Sequence, residues 1–320
     1  MCGYLKIVVT GGAGYIGSYL VKKLMEEGNF VKSVDDLSNG HYQFLEGLKN
    51  KNLHLIIGDI RDSELLSEAF RDADAVAHLA AISSLDHCRD NPEEAISVNI
   101  FGTHQVLEAA KQEKVKKIIF CSSASVYGDP NMLPVDERHP LQPLNLYGVT
   151  KVAGEKLMES YHLNYGIDTI SLRFGNVFGV GLYTHWDSVI PKFVKQGLEG
   201  NPLTIYGDGE SSRDFVHIDD IIGAIILALK KEGIGGEVFN VGGEAISIGK
   251  LSEIIKNEIE KHTGKNVNVV HLPERTGEAK NLTYNLDKIE KCLGYKPSTY
   301  VKEGVIQLVK YWVNHCRTGS

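Results

Sequence analysis

The sequence predicts an α/β protein in which a doubly wound parallel sheet is accompanied by a second, smaller α/β domain. In the first half of the chain, short apolar runs rich in β-branched residues alternate with longer stretches of helical periodicity. Each run is apolar on both faces, as expected for strands that helices cover on both sides. After Arg173 this alternation gives way to a glycine-rich stretch and shorter mixed elements. The predicted strands are Leu5–Thr10, Phe30–Val34, Leu53–Ile57, Ala75–His78, Lys117–Cys121, Thr169–Leu172 and Val238–Val241.

The same change of pattern predicts the domain boundaries. We assign residues 1–178 and about 214–245 to the parallel-sheet domain, and about 179–213 and 246–320 to the smaller domain. The closing segment Tyr300–His315 has helically spaced apolar residues and is predicted to be a helix. No proline- or serine-rich linker separates the two parts, so we expect them to pack closely.

Composition and charge narrow the function classes. The chain has 320 residues, 42% of them hydrophobic, and a formal net charge of −7. An acidic chain provides no general attraction for nucleic acid or an anionic membrane, so an anionic ligand must be held by local groups. The five cysteines show neither paired nor metal-site spacing. We therefore expect a cytoplasmic protein with free thiols and no bound metal.

The segment IVVTGGAGYIGS combines the end of a strand, a glycine turn and the start of a helix. Its glycines fit either GxGxxG or GxxGxxG spacing. Glycine suits a turn in which a pyrophosphate approaches backbone N–H groups at a helix N-terminus, because no Cβ atom stands in the way. This context predicts a Rossmann-type dinucleotide-binding domain. The predicted cofactor contacts in the turn are Gly11, Gly14, Tyr15, Ile16 and Gly17.

Asp35 ends the second predicted strand and indicates which dinucleotide binds. A carboxylate at this point can accept hydrogen bonds from both hydroxyls of an adenine ribose and would repel a 2′-phosphate. The sequence therefore favours NAD over NADP. Asp59 and Ile60 follow the third strand in GDIRD, where they could contact the adenine or form a plain acidic turn.

Tyr147 and Lys151 are four residues apart in the helical segment LNLYGVTKVAGEKL. This spacing places both side chains on one face, about one turn apart. A tyrosine titrates near pH 10 in water, and a nearby ammonium together with an oxidised nicotinamide would lower its pKa. Such a tyrosine could act as a general base near neutral pH. A YxxxK pair alone could also be a solvated helix pair, and the upstream glycine turn favours the catalytic interpretation.

These motifs resemble those of the extended short-chain dehydrogenase/reductase family, and within it the NAD-dependent nucleotide-sugar epimerases of the UDP-glucose 4-epimerase type. The resemblance covers nearly the whole chain, and the motifs occur in the family's order. They are TGGAGYIGS, VDDLSNG, GDIRD, HLAA, VNIFGT, SSASVYGD, YGVTK, LRFGNVFG, GDGESSRDFVHIDD and RTGE followed by LGYKP.

The resemblance implies a reaction through a short-lived 4-keto sugar. Tyr147 would take the proton of the sugar 4-OH while hydride passes to NAD, and hydride would then return to the other face of the turned-over sugar. Lys151 would bridge the nicotinamide ribose, and Ser123 would hydrogen-bond the reacting oxygen. The residues whose cofactor contacts the resemblance adds are Asn39, Gly40, Leu79, Ala80, Ala81 and Asn99.

The resemblance also implies a site for a UDP-sugar. Arg213 and Arg275 match the two arginines that hold the diphosphate, and such planar bidentate donors suit a diphosphate on an acidic protein. Arg213 alone could instead form a surface ion pair. The other implied substrate contacts are Asn176 near the diphosphate and Val189, Ile205 and Tyr206 at the uridine. The resemblance also places Leu282 near the position that tunes the size of the sugar pocket. A bulky residue there favours glucose and galactose over N-acetylated sugars.

Departures from the family pattern and alternative functions remain at this point. Phe174 and Gly175 stand where many 4-epimerases have a Tyr-Phe pair, and His185 and Trp186 could touch substrate or form a lid. A 4,6-dehydratase needs an acid/base pair after the fifth strand, where this chain has Ala124 and Ser125, so this function is disfavoured. A uronic-acid decarboxylase or an N-acetylhexosamine 4-epimerase is less strongly disfavoured. A non-enzymatic NAD-binding protein would typically lack the tyrosine or the lysine. The family also commonly forms a homodimer through a helix bundle.

Overall fold

A seven-stranded parallel sheet forms the centre of the protein. The computed structural model describes residues 4–48, 50–180, 188–274 and 280–315. The sheet has the order β10-β6-β5-β4-β1-β2-β3, and each strand pairs with its neighbours in parallel. The strands are β1 Lys6–Thr10, β2 Phe30–Asp35, β3 Leu53–Ile57, β4 Ala75–His78, β5 Lys117–Ser123, β6 Asp168–Phe174, β7 Asn176–Phe178, β8 Leu203–Tyr206, β9 Ser212–His217, β10 Val238–Val241, β11 Glu244–Ser247 and β12 Val269–Leu272.

Helices cover both faces of this sheet. They are α1 Tyr15–Glu26, α2 Gln43–Glu46, α3 Ser63–Phe70, α4 Leu85–Asp90, α5 Pro92–Ile96, α6 Thr103–Gln112, α7 Leu146–Tyr165, α8 Val189–Glu199, α9 Ile218–Lys230, α10 Ile248–Thr263, α11 Asp287–Leu293 and α12 Val301–His315. The predicted fold class and strand set are confirmed, with ends that differ by one or two residues. Across the described ranges, no helix is both long and apolar enough to cross a membrane.

Successive residues of the central strands enter opposite halves of the core. In β1, Ile7 and Val9 pack in one apolar cluster while Val8 packs in the other, and in β5 Ile119 and Ile118 divide in the same way. All five side chains are almost completely buried. Each such aliphatic side chain contributes about 1.5 to 3 kcal/mol to stability. This two-sided burial explains why these runs read as continuously apolar.

The strand order places a crevice at the carboxyl ends of the central strands. The chain proceeds outward from β1 through β2 to β3, then returns to β4 on the other side of β1. The loops that follow β1 and β4 therefore diverge, and ligands of open parallel sheets bind at such a point. The predicted dinucleotide turn after β1 lies at this edge.

The later chain builds smaller sheets. One has the order β11-β9-β7, the other pairs β12 with β8, and α8, α10 and α12 pack in one apolar cluster with them. Residues 238–241 return to the central sheet as β10, and the sequence analysis assigned these residues to the parallel-sheet domain. The boundaries of that assignment remain a prediction.

Helix α7 packs very closely against β5. A Cβ atom at Gly154 would lie 2.4 Å from Cζ of Phe120, a distance that no stable packing allows. Glycine at this position therefore sets how near the helix approaches the strand. Gly223, in the middle of α9, has no such neighbour, because a Cβ atom there would meet nothing within 4 Å.

Replacing each of these two helical glycines by alanine should have opposite effects on stability. Gly154→Ala should lower the free energy of unfolding by about 1 to 3 kcal/mol, because the added methyl group overpacks the α7–β5 contact. Gly223→Ala should raise it by up to about 1 kcal/mol, because alanine favours the helix and meets no obstacle. Urea unfolding of both variants measures the difference. Equal effects would contradict the close-approach argument.

Candidate active site

The turn between β1 and α1 has the backbone that a phosphate cradle requires. Gly11 has φ of +73° and its N–H donates to the Val34 carbonyl at 2.8 Å. A Cβ atom at Gly17 would lie 2.0 Å from the Gly11 carbonyl oxygen. Gly14 is the N-cap of α1 and has no side chain to cap it. The first turn of α1, which includes Tyr15, therefore presents backbone N–H groups that suit a pyrophosphate.

Asp35 ties the end of β2 to this glycine turn. Its Oδ2 accepts from the N–H of Ala13 and its Oδ1 from the N–H of Leu37, each at 2.9 Å. Burial raises the pKa of Asp35, and the two backbone donors oppose that rise. Each carboxylate oxygen keeps a second lone pair. The carboxylate is thus oriented and still able to accept from a ribose. Asn39 and the buried Gly40 lie in the loop that follows.

The turn after β3 is held by an internal ion pair. Arg61 Nε donates to both oxygens of Asp59, at 2.9 and 3.0 Å, and its Nη1 donates to Ser97 Oγ at 3.1 Å. The bond from Arg61 lowers the pKa of Asp59. Ile60, between them, is buried. The Asp59 carboxylate therefore stabilises its own turn, and the adenine contact of Asp59 and Ile60 remains a prediction.

Asn99 connects the loop after β4 to helix α7. It lies in a π-helical turn at Ser97–Gly102. Its Oδ1 accepts from the Ile82 N–H at 2.8 Å, and its Nδ2 donates to the Ile82 carbonyl at 2.9 Å and to Thr150 Oγ1 at 3.0 Å. The amide thereby positions the segment 79–81, which contains the predicted cofactor residues Leu79, Ala80 and Ala81. The cofactor contact of Asn99 remains a prediction.

His78 is a structural residue beneath this loop. Thr10 Oγ1 lies 2.7 Å from its Nδ1 and Thr103 Oγ1 lies 3.0 Å from its Nε2. Thr103 donates its own proton to the Asn99 carbonyl, so Nε2 is the protonated nitrogen of His78. Burial lowers the pKa of His78 to about 3. The ring is therefore neutral at all physiological pH values.

Tyr147 and Lys151 lie on one face of α7, beside the end of β5. Asn145 caps the helix by accepting from the Gly148 N–H at 2.9 Å. The Lys151 ammonium donates to the Cys121 carbonyl at 2.8 Å and lies 5.7 Å from the centre of the Tyr147 ring. The Ser123 side chain is near enough to the Tyr147 phenol to lower its pKa, and its Oγ donates to Ser125 Oγ at 3.3 Å. The three predicted catalytic residues are thus brought together.

The electrostatics of this cluster differ from the sequence-based expectation. Burial raises the pKa of Tyr147 above its ordinary value, and the nearby Ser123 side chain lowers it only in part. Burial also lowers the pKa of Lys151 to about 8, so this lysine has lost its proton at the higher pH where the phenol would ionise. In the protein alone, desolvation therefore outweighs the lysine, and the phenol stays protonated.

The substrate-side predictions lie on the smaller sheets and on α8. Asn176 begins β7 and pairs in register with Phe215 of β9, the strand that carries Arg213. Arg213 Nη1 donates to the carbonyls of Ser212, at 3.0 Å, and Lys280, at 2.9 Å. Asn176 and Arg213 therefore lie near each other on adjacent strands. The positions of Arg275, His185 and Trp186 lie outside the described residues.

The three residues predicted to contact the uridine do not share one environment. Val189 begins α8, Ile205 is only 2% exposed in the apolar core, and Tyr206 is 36% exposed. Any contact of Ile205 with a ligand would therefore involve its backbone. Leu282 is also buried, in a cluster with Tyr127. Its side chain fills core space, so its bulk is a poor guide to the size of the sugar site.

Sequence reasoning missed a buried ion pair next to the cluster of Tyr147, Ser123 and Lys151. Glu155 on α7 and Arg173 on β6 form it, and both side chains are 4% exposed. A cavity of about 530 Å³ adjoins it, lined by Glu155, Arg173, Glu137 and Glu237 among others. Glu155 follows Lys151 by one helical turn, which is the only sequence signal that could have indicated it. In the described ranges, no group of three or more His, Cys, Asp or Glu side chains could hold a metal ion.

An ionisable lysine buried in the folded state makes stability depend on pH. Because the pKa of Lys151 is lowered on folding, its charge destabilises the fold below pH 8, and this penalty fades as pH rises toward the unfolded-state value. Lys151→Met should therefore raise the free energy of unfolding above that of the parent protein by more at pH 7 than at pH 10. The two gains should differ by about 2 to 3 kcal/mol, at about 1.4 kcal/mol per pKa unit. Urea unfolding at both pH values tests this. A difference independent of pH would contradict the lowered pKa.

Comparison with known proteins places this geometry in context. Residues 7–242 match the model of the NAD dependent epimerase/dehydratase family. A UDP-glucose 4-epimerase from Lacticaseibacillus casei is 34% identical over 326 residues, an alignment that covers 96% of each chain.

Solved structures are similar over the full length. UDP-glucuronic acid 4-epimerase from Bacillus cereus, in complex with UDP-glucuronic acid and NAD, has a TM-score of 0.88 and 36% identity, covering 97% of this chain and 99% of that one. The dTDP-glucose 4,6-dehydratase DesIV from Streptomyces venezuelae, with NAD bound, has a TM-score of 0.90 and 29% identity, covering 98% of each chain.

Proposed function

Because this chain belongs to the NAD dependent epimerase/dehydratase family, we propose that it is a UDP-hexose 4-epimerase that interconverts UDP-glucose and UDP-galactose. The observation that carries the proposal is the cluster of Tyr147, Ser123 and Lys151 at the carboxyl end of β5. The L. casei relative is named for the same reaction. The enzyme depends on NAD, as its family does.

Tyr147 is the proposed base and acid. Its phenol takes the proton from the C4 hydroxyl of the sugar and later returns a proton to the C4 oxygen after the keto sugar has turned over. NAD, when bound, supplies the hydride acceptor and donor as well as a positive charge beside the phenol. That charge acts in the direction opposite to burial, which otherwise raises the pKa of Tyr147. The Ser123 hydroxyl hydrogen-bonds the same reacting oxygen, and the Lys151 ammonium holds the nicotinamide ribose.

The proposed cofactor site extends along the carboxyl edge of the sheet. The backbone of the glycine turn holds the pyrophosphate, and the Asp35 carboxylate holds the adenine ribose. The Asp35 side chain is oriented by two backbone donors, which supports its assignment to NAD and against NADP. The remaining proposed contacts are Asn39, Gly40, Asp59, Ile60, Leu79, Ala80, Ala81 and Asn99.

The proposed substrate site uses the smaller domain. Arg213 and Arg275 would hold the diphosphate, with Asn176 beside it, because two guanidinium groups match its charge and geometry. Val189, Ile205 and Tyr206 would enclose the uridine. The register of β7 on β9 supports this placement, since it brings Asn176 near Arg213.

The turn after Ser123 argues against dehydration. Ala124 and Ser125 occupy a 3₁₀ turn, and the Ser125 N–H donates to Ser123 Oγ at 3.2 Å. A 4,6-dehydratase requires an acid and a base at this position to remove water, and neither residue here supplies a carboxyl group. The similarity to DesIV therefore supports the fold and the cofactor, and epimerisation is the better assignment for the chemistry.

We also propose a homodimer formed through the helices on the α6–α7 side of the sheet. Ile96 and Phe101 are 46% and 49% exposed, and Val149 on α7 is 45% exposed. Such neighbouring apolar surface is typical of an interface. Val106 and Leu107 of α6 are fully buried in the core, so they contribute to folding alone. Buried free thiols at Cys88 and Cys121 support a cytoplasmic location.

The activity is tested with UDP-galactose in the presence of NAD, with products identified by NMR. We expect UDP-glucose from the parent protein. Tyr147→Phe should retain NAD binding and lose about 10²-fold or more in kcat, because only the phenol oxygen is removed. Tyr165→Phe, which removes an exposed phenol from the other end of α7, is the matched control and should remain active.

Two results would overturn the assignment. Near-normal turnover by Tyr147→Phe would contradict the assigned base. Unchanged UDP-galactose, together with conversion of UDP-N-acetylglucosamine or UDP-glucuronic acid in the same assay, would contradict the assigned sugar.

The dimer is tested by Phe101→Glu, which places a charge in the proposed interface. We expect the variant to sediment as a monomer in analytical ultracentrifugation while the parent sediments as a dimer, because an unpaired buried charge is costly. Met132→Glu changes an equally apolar side chain on an exposed loop, 73% exposed, and should leave the dimer intact. A monomeric parent protein would refute the proposal.

A further inference from the structure

The ion pair of Glu155 and Arg173 connects α7 to β6 in the interior of the protein. Arg173 Nε donates to Glu155 Oε1 at 2.8 Å, and Nη2 donates to Oε2 at 2.6 Å. Both residues are almost completely buried. The arrangement is bidentate, which sets the relative orientation of the two side chains as well as their distance.

Three further groups complete the pair. Ser122 Oγ donates to Glu155 Oε1 at 2.5 Å, and Arg173 Nη1 donates to the Tyr127 hydroxyl at 2.7 Å and to the Glu137 carbonyl at 3.1 Å. The guanidinium also lies 4.8 Å from the centre of the Tyr127 ring. The network therefore joins α7, β5, β6 and the loop after β5.

The network connects α7 and β5, the two elements that carry the proposed catalytic residues. Glu155 follows Lys151 by one helical turn and Tyr147 by about two, so all three lie along one face of α7. Ser122 directly precedes Ser123 and pairs in register with Arg173 across the β5–β6 ladder. A shift of α7 or of the end of β5 would thus be resisted at a point next to the phenol and its serine partner.

Stability alone does not account for a pair of this kind. Removing two charges from water costs free energy that their attraction only partly offsets, and well-packed apolar residues often stabilise such a position equally well. The bidentate geometry and the extra bond from Ser122 instead define one orientation of the helix on the strand.

We propose that Glu155 and Arg173 are positioning residues of the active site, which act through Ser122 to hold Ser123 against the phenol of Tyr147. This inference rests on the proposed function for the roles of Ser123 and Tyr147. Glu155 has no proton-transfer role in it, because both of its oxygens accept from Arg173. A catalytic serine and tyrosine must be held in a narrow range of geometry, because small displacements lower the rate of the chemical step.

Ser122→Ala tests the link without disturbing a charge. It removes the bond to Glu155 Oε1 and leaves the Arg173 contacts in place. We expect kcat to fall about tenfold with little change in KM, because bound substrate meets a misplaced serine. Thr169→Val is the matched control, since Thr169 Oγ1 also links β6 to α7 by donating to the Met158 carbonyl at 2.8 Å. If both variants have the kcat of the parent, the proposal is wrong.

A compensated double variant separates position from folding. Glu155→Leu combined with Arg173→Met replaces the pair with apolar side chains of similar size, so no charge is left buried alone. We expect NAD binding by calorimetry to be retained and kcat to fall about 10²-fold. Parent-like kcat in a folded double variant would show that the ion pair is dispensable for positioning. If the double variant does not fold, Ser122→Ala and its control decide the question.

A titration of the phenol provides a measurement that does not depend on turnover. The Ser123 side chain lowers the pKa of Tyr147, so a displaced Ser123 should shift its ionisation to higher pH. This pKa is read from the ultraviolet absorbance of NAD-loaded Ser122→Ala as the pH rises. The same titration of a variant that carries both Ser122→Ala and Tyr147→Phe is subtracted from it. An unshifted titration overturns the positioning role. If the parent protein epimerises no sugar nucleotide, the proposed function fails, whereas this titration still tests the geometry.

Discussion

The close packing of helix α7 against strand β5 is the constraint on which the rest of this site depends. Gly154 lets the helix approach the Phe120 ring, and this approach brings Lys151 within hydrogen-bonding distance of the Cys121 carbonyl. At the same separation the Ser123 side chain is near enough to the Tyr147 phenol to lower its pKa. A helix held even a methyl group further away would leave these polar groups without partners, because hydrogen bonds require a narrow range of distance.

Polar side chains, and not secondary structure alone, connect the elements around the cofactor edge. Asn99 joins the loop after β4 to α7 through Ile82 and Thr150. Asp35 joins the end of β2 to the glycine turn. Each of these groups is satisfied mainly by backbone atoms of a loop, so each selects one loop conformation. The proposed dinucleotide site is therefore organised before any ligand enters.

The same burial that organises the site opposes its chemistry. Removing Tyr147 from water raises its pKa, and removing Lys151 from water lowers that of the lysine. Both shifts disfavour the phenolate that a general base needs. Bound NAD would supply a positive charge that acts in the opposite direction, so the proposed base would be favoured only in the loaded site.

Local sequence determined a great deal about this protein. The alternation of apolar runs with helical stretches predicted the parallel sheet, and the glycine spacing, Asp35 and the four-residue separation of Tyr147 and Lys151 predicted the cofactor edge, because each signal is contained within one turn or one helix. Tertiary structure alone decided which distant groups meet. Glu155 and Arg173 are eighteen residues apart, and apart from the helical spacing of Glu155 from Lys151 nothing in either segment indicates that the two charges are buried together. Their contact depends on how α7 packs on the sheet, and the rise in the Tyr147 pKa depends on how much water that packing excludes. Only the assembled fold defines both.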